Sequence, residues 1–293
     1  MKYRIVAIDV DGTLVNKNGL VSDLDKEAVE RIARLNVKVV LCTGRVVQST
    51  LPILAQLQIK NSLHVFYDGA LIADTKGGWK HYQQPMSADL VRELVSYCRK
   101  NNIFIELYTN GEDNSSMRAK GLHTYSITPD YCYSERSSWT DEIHRNLFHL
   151  DVSVTNFDEI IGKRDILKAE IIVSNDEEAI QAKMIKDCFG ESFRFSLAYS
   201  PAFPDIDFVN ILHPNASKGA AIKRLISEWG GVPEEVIAIG DGLNDIPLLE
   251  ASGVPVAMGN ACPELKQVSN YITLPVEESG VAKAIRFFFP SFF

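Results

Sequence analysis

The chain has 293 residues, 46% hydrophobic and 23% charged, with 30 basic and 38 acidic residues giving a net charge of −8. That length exceeds one ordinary layered domain and suits two, each able to bury a core without a disulfide or metal staple. The composition excludes a disordered chain, a collagen-like repeat and a cysteine-stapled secreted module, and the acidic balance argues against nucleic-acid binding by bulk electrostatics.

Residues 3–10 form a continuous β-rich apolar run, expected as a strand buried on both faces. After a loop with Gly12, residues 22–35 read as a helix, with Ser22 and Asp25 at capping-box spacing. Residues 37–42 are a second strand run, 46–57 a helix and 63–67 a third strand run. Strand alternating with helix predicts a parallel sheet covered by helices. The pattern changes near Gln83: a helix over 89–100, a strand over 103–108, then a polar, irregular stretch from 109 to about 142. Strands are expected at 150–154, 170–173, 193–197 and 207–212, with a helix over 177–189. The first pattern then resumes, with a helix at 219–229, a strand at 236–239 and a short helix at 246–252. Pro247 falls in that helix's first turn, where a missing N–H is tolerated. Segments 254–258, 271–274 and 280–288 close the α/β pattern. The expected fold is one α/β domain, residues 1–82 and 207–293, split by an inserted α+β unit over 83–206.

Five scattered cysteines, Cys42, Cys98, Cys132, Cys188 and Cys262, with no Cys-x-x-Cys pair, favour a reducing compartment. The first residues are apolar too briefly for a signal peptide, and no stretch approaches the ~18 apolar residues of a membrane helix. A cytoplasmic protein with no membrane partner is therefore expected.

Chemistry concentrates at strand ends. Asp9-Val10-Asp11-Gly12-Thr13 lies at the carboxyl end of the first strand, where open parallel sheets place their ligands. Two carboxylates on one side of a strand repel and invite a metal cation or a shared proton. Gly240-Asp241-Gly242-Leu243-Asn244-Asp245 follows another buried strand and brings two more acids. Four acids at one edge need positive charge, and Mg²⁺ suits an all-oxygen site with few protein ligands. Thr43-Gly44-Arg45 follows the second strand, a hydroxyl and a backbone N–H before a helix start, as in a phosphate cradle. Lys218 opens a helix against the helix dipole, which suggests pairing with an acid or a phosphate.

In this order, Asp-x-Asp-Gly-Thr, Thr-Gly-Arg, Lys and Gly-Asp-Gly-x-Asn-Asp resemble the four-motif set of the haloacid dehalogenase-like (HAD) superfamily. The insertion between the second and third motifs resembles that of its Cof-type branch, as do Val256-Ala257-Met258-Gly259-Asn260-Ala261 and Ser279-Gly280-Val281-Ala282 near the end. The resemblance implies an α/β, Rossmann-like parallel-sheet core whose insertion is an α+β cap domain, and a Mg²⁺-dependent phosphatase of small phosphorylated metabolites, most often sugar phosphates. It implies that Asp9 attacks phosphorus to form an aspartyl phosphate, and that Asp11 protonates the leaving oxygen and then activates water. Mg²⁺ would be held by Asp9, the backbone carbonyl of Asp11 and Asp241, with Asp245 in support. Thr43 and Lys218 would hold the phosphoryl oxygens, with Gly44, Arg45 and Asn244 also in the substrate site. The family usually has Asn-Gly after the third strand where this chain has Asp68-Gly69; Asp68 is either a harmless substitution or a substrate contact that faces a hydroxyl or amine of the leaving group.

Two other readings stand beside this one. A phosphomannomutase-like phosphotransferase would use the same acids to return the phosphoryl group to a sugar, and a non-catalytic sensor would only bind a phosphorylated ligand. Substrate choice falls to the cap, with candidate contacts in 108–118 and around 199–207. Tyr125, Tyr131, Tyr133 and Trp139 either stack on a sugar or pack within the cap. A monomer or weak homodimer is expected. The Phe-rich end, 287–293, offers either a partner surface or packing onto the chain's own core, the latter being expected.

Overall fold

A computed structural model describes residues 2–59, 63–76, 79–111, 125–126 and 129–293. Fifteen strands occur in chain order among these residues: β1 (Ile5–Ile8), β2 (Lys38–Leu41), β3 (Leu63–Phe66), β4 (Leu71–Asp74), β5 (Trp79–Gln83), β6 (Glu106–Asn110), β7 (Tyr125–Ser126), β8 (Asp130–Ser134), β9 (Val152–Val154), β10 (Ile166–Val173), β11 (Arg194–Tyr199), β12 (Asp207–Leu212), β13 (Val236–Gly240), β14 (Val254–Ala257) and β15 (Tyr271–Ile272). They form three sheets.

The first sheet is parallel, in the order β15-β14-β13-β1-β2. Every residue of β1 and β13 is buried, as an apolar run flanked by helices on a parallel sheet requires. Helices Asp23–Arg34 and Gly280–Phe288 pack on one another, joined where Asp25 Oδ1 accepts the Ala282 N–H at 2.7 Å. The expected cap of the first helix forms, since Ser22 Oγ accepts from Asp25 N at 3.1 Å and donates to Asp25 Oδ2 at 2.7 Å. Helices Lys218–Glu228 and Ile246–Glu250 form a second pair. At the C-terminus Phe289 enters the core, while Phe288 and Phe292 pack against it.

The third strand departs from the simple parallel expectation. It meets the parallel sheet at a Cys42–Val65 bridge and where the Leu41 N–H donates to His64 Nδ1, and it pairs antiparallel with β4, which leads on to β5 and β7. The cause is the turn Tyr67-Asp68-Gly69, whose residues have φ of 51°, 48° and 99° and fold the chain back so that Phe66 faces Leu71. Left-handed backbone is tolerated by Asp and Asn better than by most residues, which explains an Asp where Asn would also serve.

The inserted unit carries the third sheet, in the order β11-β12-β10-β6-β8-β9, antiparallel except for the β8–β9 pair. One face holds Leu107, Ala169, Ile171 and Ile211, in a core shared with helices Ala88–Lys100 and Asp176–Phe189. Two sequence expectations shift here. Strand β12 pairs with β10 and β11, so residues 207–212, assigned by sequence to the core, are part of the inserted sheet. The stretch 109–142, read as irregular, contains β8, whose Cys132, Tyr133 and Ser134 are buried. No helix among the described residues is long and apolar enough to cross a membrane.

Candidate active site

Strands β1 and β13 run parallel with Ile8 opposite Ile239, so the segments leaving their carboxyl ends emerge at one edge. Asp9, Asp241 and Asp245 are buried there, with one carboxylate oxygen of each within 4.8 Å of the others. Gly12 makes this approach possible. Its φ is 77°, and a Cβ on it would sit 2.3 Å from Asp241 Oδ2. Thr13 Oγ1 donates to Asp241 Oδ1 at 2.7 Å, and Asp245 Oδ2 accepts the Asp241 and Gly242 N–H groups at 3.0 Å each.

Lys218 enters this acid cluster from the first position of its helix, whose Ser217 cap accepts the Ala220 N–H. Its Nζ lies 2.6 Å from Asp9 Oδ1 and 2.6 Å from Asp245 Oδ1, with the side chain fully buried. Burial opposes the ammonium charge, but the Asp245 and Asp9 carboxylates outweigh it and hold its pKa well above the ordinary lysine range. Burial and the charge of Asp245 push Asp9 well above the usual carboxylate range despite Lys218. The same two causes push Asp241 up to about 7. One ammonium among three buried carboxylates leaves an uncompensated negative charge. The donors are all oxygens at a solvent-reachable edge, the chemistry Mg²⁺ prefers, so the residues fit that ion.

Asp11 borders the same cleft as Asp9 and Asp241. Arg45 takes it in a two-pronged bond, Nε to Oδ2 at 2.7 Å and Nη2 to Oδ1 at 2.6 Å. Burial opposes the guanidinium charge, but Asp11 raises its pKa above the ordinary arginine value. Arg45, expected among the substrate-binding groups, thus has Asp11 as its partner here. Thr43 Oγ1 accepts the Arg45 N–H at 3.0 Å, leaving its own hydroxyl proton available. Thr43, Gly44, Arg45 and Asn244 all border the cleft with Asp9, Asp11 and Asp241.

Asp68 is buried behind this line and borders a second cavity with Ser217, Lys218 and Asn244. Asn210 Nδ2 donates to its Oδ2 at 2.7 Å, and Asn244 Nδ2 to its Oδ1 at 3.1 Å. Asn210 belongs to β12 in the cap and Asn244 to the core, so Asp68 ties the two units together. A second tie involves Asp130 at the start of β8. Its Oδ2 accepts the Gln48 N–H at 2.6 Å, and its Oδ1 accepts from Tyr67 Oη and Asn110 Nδ2, each at 2.6 Å. Helix Val47–Leu54 has no side-chain cap of its own at Val46, so the inserted unit supplies one.

The cap's second sheet face closes the cleft. Tyr108, Lys168, Glu170, Phe208 and Asn210 line it from β6, β10 and β12, with Tyr199 and Ser200 at the end of β11. Side chains two apart on a strand share a face, which places Glu106 with Tyr108 and Lys168 with Glu170. Tyr108 Oη lies 3.0 Å from Glu106 Oε2, 2.7 Å from Glu170 Oε1 and 2.5 Å from His144 Nε2. His144 Nε2 is also 3.0 Å from Glu106 Oε2. Burial opposes its charge, but the bond to Glu106 and that carboxylate's charge raise its pKa above the ordinary histidine value.

Of the cap contacts expected from sequence, Tyr108, Tyr199 and Ser200 are at the cleft; residues 112–118 lie outside the described residues. Tyr131 and Tyr133 stack on each other, centroids 6.1 Å apart, with Arg164 over both rings and neither at the cleft. Trp139 is exposed elsewhere and the Tyr125 side chain lies outside the described residues. Lys168, Glu170 and Asn210 were not singled out from sequence; a Lys-x-Glu inside an otherwise apolar strand was the available signal.

The sequence profile of the haloacid dehalogenase-like hydrolase family matches residues 6–285. A protein of Streptococcus pyogenes whose given name proposes a phosphatase is 30% identical over 290 residues, 98% of both chains. The 5-amino-6-(5-phospho-D-ribitylamino)uracil phosphatase YwtE of Bacillus subtilis is 26% identical over 291 residues, 95% of this chain and 96% of its own. A haloacid dehalogenase-like hydrolase structure from Bacteroides thetaiotaomicron, 24% identical, covers 98% of this chain and 100% of its own with a TM-score of 0.78. The chain belongs to the haloacid dehalogenase-like hydrolase family and is an enzyme, a phosphatase-type hydrolase.

Proposed function

We propose that this family member hydrolyses small phosphorylated metabolites, sugar and polyol phosphates foremost, with Mg²⁺ and through an aspartyl phosphate on Asp9. The observation that carries the reading is the convergence of Asp9, Asp11, Asp241 and Thr43 on one cleft beneath the cap, with Lys218 joining Asp9 to Asp245 behind them. The name of the Bacillus subtilis relative supports it, since that protein's substrate is a phosphorylated ribityl chain. Five free cysteines support a reducing, cytoplasmic setting.

Asp9, Asp241 and the Asp11 backbone carbonyl would hold Mg²⁺, with Asp245 behind them; bound there, the ion would screen carboxylate from phosphoryl oxygens. The protein's own groups supply the rest. Lys218 holds Asp9 Oδ1, so Oδ2 is the oxygen that attacks phosphorus. As that bond forms, the phosphorus–oxygen bond to the leaving group breaks and Asp11 gives its proton to the departing oxygen. Asp11, now a carboxylate, takes a proton from water as the water's oxygen attacks phosphorus. The bond from phosphorus to Asp9 then breaks, releasing phosphate. Arg45 donates to both side-chain oxygens of Asp11. The first half requires substrate to loosen one of those two bonds. Thr43 and Lys218 donate to the phosphoryl oxygens.

The test is phosphate release from a panel of sugar phosphates, nucleotides and pyridoxal phosphate, with Mg²⁺ and with a chelator. Release that needs Mg²⁺ is expected. No release from any compound, with isomerisation after priming by a bisphosphate, would replace the hydrolase with a phosphotransferase.

A further inference from the structure

The cleft wall opposite Asp9 carries an ion pair that the chemistry on Asp9 does not use. Lys168 Nζ lies 2.5 Å from Glu170 Oε2, with side chains only 6% and 2% exposed. The ammonium also sits 4.2 Å from the Tyr108 ring centroid, and Glu170 Oε1 takes the Tyr108 hydroxyl. A buried pair of this kind adds little to stability compared with apolar side chains of the same size, so its retention on the cleft wall points to recognition. Beside it, Asn210 stands directly across from Glu170 in the sheet. Its Nδ2 is committed to Asp68, because a carboxylate only accepts. Its Oδ1 is buried and has no partner among the described residues. An unsatisfied buried amide oxygen is costly, and a ligand hydroxyl on the cleft side would satisfy it.

We propose that Lys168, Glu170 and Asn210 form the leaving-group subsite, and that the Lys168–Glu170 pair selects uncharged polyhydroxyl leaving groups against those with a second anion. The inference rests on the phosphatase reading above. An unpaired lysine here would attract a second phosphate or carboxylate. Paired with Glu170 it presents no net charge but keeps N–H donors beside two acceptors, Glu170 and Asn210 Oδ1. Donors and acceptors side by side match a vicinal diol, whose hydroxyls both give and take hydrogen bonds. A second anion would meet the Glu170 carboxylate, with the Lys168 ammonium beside it already matched.

The experiment measures competition against p-nitrophenyl phosphate hydrolysis by glucose 6-phosphate and by 6-phosphogluconate, which adds a carboxylate to a similar chain. Wild-type protein is expected to bind the former more tightly. In Glu170→Gln the uncompensated Lys168 should move the ratio of inhibition constants by about tenfold towards 6-phosphogluconate. Lys168→Met, which leaves Glu170 unopposed, should move it the other way. An unchanged ratio in a folded variant overturns the proposal, as does a wild-type enzyme that hydrolyses the aryl ester yet binds both compounds equally or neither. If the variants do not fold, the wild-type ratio alone decides. A wild-type protein that releases phosphate from neither the aryl ester nor the substrate panel overturns the phosphatase reading instead.

Discussion

The two walls of the cleft are built on opposite electrostatic plans. The core wall gathers Asp9, Asp11, Asp241 and Asp245 against Lys218 and Arg45, an excess of acid that leaves room for a divalent cation. The cap wall sets Glu106 and Glu170 against Lys168 and His144, each carboxylate with a basic partner of its own. With a divalent cation bound, the acidic wall would draw in and polarise a charged phosphoryl group. A balanced wall adds no net field and can only sort what is attached to that group by hydrogen bonding and shape. On the proposed function, reaction and selection are separated by charge balance as well as by domain. Changes to the core wall should strike turnover, and changes to the cap wall should strike discrimination.

The largest break is expected from Asp9→Asn, which removes the nucleophile and keeps its volume. Turnover should fall by about 10³-fold or more, while the thermal transition persists. Normal phosphate release by this variant would dismiss Asp9 as nucleophile. Asp241→Asn should raise the Mg²⁺ concentration for half-maximal activity by roughly 10- to 100-fold; an unaltered metal titration would remove Asp241 from the metal site.

The same contrast explains what the sequence disclosed. Core-wall residues come as short contiguous strings after buried strands, because one sharp turn at a strand end exposes several neighbours at once. Asp9 to Thr13 and Gly240 to Asp245 could be read directly. The cap wall is assembled from alternate residues of several strands, so Tyr108, Lys168, Glu170 and Asn210 share no local pattern. Two charges in the middle of β10 also hid its first half, and only residues 170–173 were expected as strand. The role of Asp68 was obscured because its partner Asn210 is 142 positions away.

Acid excess also predicts how the protein responds to pH without metal. Asp9 is held well above, and Asp241 up to about 7 against, an ordinary carboxylate value of 3.8. The folded state therefore binds more protons than the unfolded state between those values. Their contribution is most favourable below the unfolded pKa and is lost as pH rises towards 7. In a chelator, Tm should fall from pH 5 to pH 8. Mg²⁺ should restore more of it at pH 8 than at pH 5, and Asp241→Asn should flatten the trend. Equal Mg²⁺ stabilisation at both values would show that these acids do not hold the ion. At the seam between the walls, Asp130→Ala removes the cap of helix Val47–Leu54 and leaves the Tyr67 hydroxyl only the longer bond to the Thr109 carbonyl at 3.3 Å, for a loss of about 2 kcal/mol readable by denaturant unfolding.

The smallest effect, and the sharpest probe of the cap wall, is expected from Asp68→Asn. Asparagine suits the left-handed backbone at this position as well as aspartate does. It offers one acceptor oxygen where Asp68 uses two, so one of the bonds from Asn210 and Asn244 must change. The less disruptive answer is for the Asn210 amide to turn over, giving its Oδ1 to the new amide and presenting Nδ2 to the cleft. Stability should then change by no more than about 0.5 kcal/mol. KM for a hydroxyl-bearing substrate should shift by about two- to fivefold with kcat nearly constant, because an acceptor beside Glu170 has become a donor. A fall in kcat without any change in KM would instead tie Asp68 to the core wall, through Asn244 and its neighbour Asp245.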